Sequence, residues 1–125
     1  MAFTTLDTAA HVMQWSHCVA YVLGGAFLAN AAPHLVSGLM GRPFQSPFAK
    51  PSGQGLSSSL VNVLWGFFNL AAGYVLVCQV GNFDLRSPAH AGALGAGALL
   101  LSVPTARWFG RFNGGNTPEG PGTIR

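Results

Sequence analysis

Three long apolar runs alternate along the chain with polar, glycine- and proline-rich stretches. The middle run is the clearest. Residues 60–80 are twenty-one positions without a charge, close to the ~20 needed to cross ~30 Å of hydrocarbon. Ser58, Asn62, Trp65, Asn69 and Gly73 fall at steps of four, three, four and four, which places them on one helical face. In lipid such a face is expected to turn toward other helices.

The first run covers residues 15–40. Trp15 and Tyr21 suit an interface at its start. Small residues recur four apart, Ala20 with Gly24 and Gly25 with Ala29, a spacing that lets another helix come close. Pro33 interrupts this run, removes one helical hydrogen bond and is expected to kink the helix and free the Ala29 carbonyl. Asn30 and His34 stand one turn apart around it.

The third run covers residues 88–112. Ser87-Pro88 reads as a helix start, a capping hydroxyl followed by proline at the first helical position. Residues 91–98 are alanine and glycine with one leucine, a thin stretch suited to close packing. Trp108, Phe109 and Phe112 read as an aromatic belt beside Arg107 and Arg111.

The runs therefore predict an all-α integral membrane protein with three transmembrane helices, at about residues 15–40, 60–80 and 88–112. Residues 1–14 read as an amphipathic lead-in, either an interfacial helix on the membrane surface or an extension of the first span. Residues 41–59 form a loop rich in proline and phenylalanine, with Ser57 to Ser59 as candidate caps for the next helix. Residues 113–125, rich in glycine and proline, read as a flexible tail.

Composition supports lipid as the solvent. Of 125 residues, 50% are hydrophobic and 7% charged, where a soluble domain carries roughly 25% charged residues. The six Lys and Arg residues are scattered, which excludes a nucleic-acid face. Residues 18–28 have the apolar character of a secretory signal. No Lys or Arg precedes them, and Asp7 does, so they read as a true span. Cys18 and Cys78 fit no zinc spacing and read as two buried free thiols.

Charge placement predicts orientation. Arg42 and Lys50 lie in the first loop, and Arg107, Arg111 and Arg125 lie at the C-terminal side. Three spans put both regions on one side of the membrane. The excess of positive charge makes that side cytoplasmic and the N-terminus external.

Candidate chemistry centres on five residues: Asn30, His34, Asn62, Trp65 and Asn69. An imidazole within a membrane span can ligate a haem or a chlorophyll-type pigment, or relay protons. It can equally bond to Asn62 or Asn69 as a tie between helices. The asparagine stripe can line a polar path or a ligand pocket, or serve as the same kind of tie. His17 and His90 are expected near the outer side and His34 near the inner side, so no histidine pair is placed for one haem. Asp7, Asp84 and Glu119 all lie outside the spans, leaving no paired-carboxylate site within them, and no metal-ligand cluster is visible. No nucleophile elbow or phosphate-binding glycine loop occurs.

These features predict an accessory or scaffold subunit of a larger membrane complex, in contact with a pigment, haem or quinone through His34. A homo-oligomeric channel or transporter lined by Asn30, His34, Asn62 and Asn69 is the alternative, and a membrane enzyme acting on a lipid-like substrate is a third. The expected partners are the bilayer, and either copies of itself or larger membrane subunits. Association of either kind is expected because Asn62 and Asn69 need partners and the alanine- and glycine-rich third span offers a flat surface.

Overall fold

A computed structural model describes residues 13–119 of the chain. The amphipathic lead-in lies almost wholly outside the described residues, and the two of its positions inside them, Met13 and Gln14, are not helical. Three helices follow: α1 (Trp15–Leu39), α2 (Ser59–Tyr74, continued by a π-helical turn over Val75–Gln79) and α3 (Pro88–Asn113). All three are long and apolar enough to cross a membrane. Local chemistry sets their ends. Ser58 Oγ accepts from the Val61 amide at the start of α2, and Ser87 Oγ accepts from the His90 amide at the start of α3, with Pro88 next to it. Gly114 closes α3 at φ +79°, a left-handed conformation that glycine adopts without strain. Asn116 then folds back, its Nδ2 donating to the Arg107 carbonyl at 2.8 Å, so residues 114–117 form a turn against the helix end.

The central helix is α1. It packs along both α2 and α3, while α2 and α3 scarcely meet. Its neighbouring glycines point opposite ways. A Cβ on Gly24 would run into Val77 on the α2 side, and one on Gly25 into the backbone carbonyl of Leu94 on α3. Gly97 lies equally close to the Val22 carbonyl across the α1–α3 seam. Backbones that approach this closely maximise van der Waals contact, which is the main term joining helices in lipid. Both α1 and α3 run continuously through their internal prolines, Pro33 and Pro104.

The first loop is folded, and it caps one end of the bundle. Two short antiparallel strands, β1 (Phe44–Gln45) and β2 (Leu56–Ser57), pair Phe44 with Ser57 and Gln45 with Leu56. The Ser46 and Ser57 hydroxyls bond to each other beneath them. From α3, Trp108 Nε1 donates to the Gly53 carbonyl at 2.8 Å, and Asn113 Nδ2 donates to Gln45 Oε1 at 3.1 Å. The loop and the C-terminal end of α3 therefore share one end of the molecule.

Two expectations are corrected. Phe109 does not stand in an outward belt; it packs against Phe44 and His34 inside the loop end. The two cysteines are free, but Cys78 is exposed on the surface rather than buried.

Candidate functional site

The structure brings four of the five singled-out residues into two hydrogen-bonded pairs across the α1–α2 seam. His34 Nδ1 lies 2.7 Å from Asn62 Oδ1, and Asn30 Nδ2 donates to Asn69 Oδ1 at 2.9 Å. His34, Asn62 and Asn69 are 2%, 0% and 1% exposed, so the His34–Asn62 bond is fully buried, while the half-buried Asn30 leaves the second bond part-buried. Seven residues separate Asn62 from Asn69, which puts the second pair ~10 Å farther along the helix axis from the loop.

Asn62 is the hub. It lies in the first turn of α2, where Nδ2 reaches the carbonyls of Phe44, Ser57 and Ser58 at 3.2, 3.1 and 3.0 Å. Those bonds use its N–H groups and turn Oδ1 toward His34. An amide oxygen only accepts, so His34 Nδ1 carries the proton and Nε2 keeps the lone pair. Among the described residues, Nε2 has no hydrogen-bond partner. The ring is enclosed by Phe44, Trp65 and Phe109, with centroids at 5.5, 6.4 and 6.3 Å, all near-perpendicular. Edge-to-face packing of this kind is favourable between aromatic rings.

Asn69 makes the analogous local bond, Nδ2 to the Trp65 carbonyl at 2.8 Å, one turn back on its own helix. The tie between helices expected of His34 is thereby found, with Asn62 as its partner. The partners of Asn62 and Asn69 are His34, Asn30 and nearby backbone, all within this chain.

Trp65, the fifth residue, is half-buried and stacks on Phe68 at 5.2 Å, with Phe48 edge-on at 5.1 Å. On its other side it borders a crevice of about 210 Å³, lined by Asn30, Asn69, Phe27 and Leu101. A larger cleft of about 410 Å³ lies between α1 and α3 at the loop end, walled by Ala29, Pro33, Phe44, Thr105 and Phe109 among others. Leu101 borders both spaces.

At the opposite end, Tyr21 is fully buried among His17, Phe83 and His90, with ring centroids 5.0–6.4 Å away. His90 Nδ1 accepts from the Asp84 amide at 2.9 Å, so its proton is on Nε2. Sequence reasoning placed His17 and His90 at one end and His34 at the other. It missed that Tyr21 sits between the first two, because nothing in the spacing of residues seventy positions apart encodes that meeting. Among the described residues, no group of three His, Cys, Asp or Glu side chains is placed to hold a metal.

What this arrangement can do chemically is limited by its own bonding. The asparagine side chains are occupied in holding α1 against α2. The imidazole has one nitrogen committed and one free. No protein-family model, curated protein or solved structure matches the chain.

Proposed function

We propose that the chain is an integral membrane accessory subunit that packs against larger membrane subunits through the outer face of α3. One observation carries the reading. The exposed face of α3 presents Gly92, Gly95 and Ala96, and a Cβ at either glycine would meet nothing within 4 Å. Glycines directed at lipid gain nothing there, since they bury no side chain and weaken the helix. Small residues four apart, as Gly92 and Ala96 are, allow a second helix to approach closely. Leu99, Leu100 and Val103 continue this face as exposed apolar side chains. The loop end, with Arg42, Lys50, Arg107 and Arg111, faces the cytoplasm in this proposal.

The pairing of Asn30 with Asn69 and His34 with Asn62 supports this reading over a channel lined by the same residues. Groups already bonded to each other across a seam offer a passing solute little.

The test is purification from native membranes in mild detergent, with particle mass and absorbance spectrum read together. The accessory role predicts a particle containing foreign subunits. A colourless particle built only of the 13.0 kDa chain would overturn it.

A further inference from the structure

We propose that the cleft between α1 and α3 binds the head of a membrane hydroquinone. The site shares Phe44 and Phe109 with the packing around His34 but does not use the imidazole, and it does not depend on the accessory role. Three of its lining residues carry polar groups that can meet a ligand. Pro33 has no N–H, so the Ala29 carbonyl lacks its donor from one turn ahead, and both residues line the cleft. Ser102 and Thr105 line the facing wall on α3, and among the described residues neither hydroxyl makes a hydrogen bond. In hydrocarbon a carbonyl deprived of its helical donor is costly, so the cleft favours an occupant that can donate a hydrogen bond.

Shape and depth narrow the class of that occupant. The volume of about 410 Å³ lies within the ~300–1,000 Å³ typical of small-molecule sites. Phe44 and Phe109 line it, 4.7 Å apart and inclined at 61°, and offer edges and faces to a planar ring. Ser102 is five residues from Arg107 and thus ~7.5 Å inside the level of the arginines, while Asn113 and Gly115 line the outer end of the same cleft. Ser102 is itself exposed, so the cleft opens sideways and a hydrophobic tail can stay in lipid. A ring hydroxyl donates to the Ala29 carbonyl and accepts from Ser102 or Thr105. The oxidised quinone has no hydroxyl to donate and satisfies only half of this pattern.

The experiment is calorimetric titration of the protein in lipid nanodiscs with a decyl-substituted benzohydroquinone, under reducing conditions. Parallel titrations use the corresponding quinone, without reductant, and the hydroquinone dimethyl ether. Saturable binding of the hydroquinone is expected, at least tenfold tighter than either comparison ligand. Pro33→Ala restores an N–H to the Ala29 carbonyl and should weaken binding about tenfold while keeping α1 helical, since alanine favours a helix. Thr105→Val preserves shape and removes one hydroxyl; it should weaken binding severalfold. Equal affinity for the dimethyl ether would overturn the proposal. So would absence of saturable hydroquinone binding, or affinity unchanged in both variants with the helical signal intact.

Discussion

Asn62 holds three pieces of the chain with one side chain: α1 through His34, the β1 strand through the Phe44 carbonyl, and its own helix start through Ser57 and Ser58. Asn69 holds two, Asn30 on α1 and the Trp65 carbonyl. The two asparagines therefore differ in what their loss leaves behind. Asn69→Ala removes a single tie between helices, worth about 0.6 kcal/mol on average in membrane proteins. Asn62→Ala strands the buried His34 N–H as well as loop carbonyls, and unsatisfied buried groups cost about 1–3 kcal/mol each. Reversible unfolding in mixed detergent and SDS micelles should rank Asn62→Ala clearly below Asn69→Ala. Equal losses would mean that the hub geometry contributes nothing. At this scale the sequence was partly informative. An asparagine stripe on one helix and an Asn–His pair on another signalled a polar seam. Which amide met which partner depended on the rotation of α1 against α2, and no pattern within either helix states that.

Among the elements, α1 is set by the glycines on its two sides and α3 by the contrast between its two faces. Gly97 faces α1 with no room for a methyl group, whereas Gly95 faces outward into open space. Gly97→Ala should destabilise the isolated chain by about 1–3 kcal/mol, because the seam must open to admit the added carbon. Gly95→Ala should stabilise it by about 0.5–1 kcal/mol, since alanine loses less backbone entropy in a helix. The same unfolding measurement checks both, and a matching sign for the two would contradict this packing. Helix positions were legible from the apolar runs, and Ser58, Ser87 and Pro88 marked starts because capping is local. The loop was legible only as proline-rich chain. Its fold rests on Trp108 reaching Gly53 and Asn113 reaching Gln45, contacts 55 and 68 residues apart. The same distance in sequence hid Phe109, which shares its helix with belt-like neighbours yet turns inward to His34. The α1–α3 cleft was hidden too, although Pro33 had signalled one of its polar groups.

For the whole molecule, polar groups tie α2 and the loop to α1, and close backbone contact ties α3 to α1. All three helices leave apolar side chains uncovered, but the outer face of α3 is the one where Gly92 and Ala96 leave a flat strip with room for a close helix. The central claim is that another polypeptide occupies that strip. Photo-crosslinking in native membranes tests it most directly. A photoreactive amino acid is placed at Ala96, with a control at Phe67, an exposed position on α2. The account predicts an adduct with a different polypeptide from position 96 and none from position 67. No adduct at position 96, or an adduct of only twice the 13.0 kDa chain mass, would contradict it.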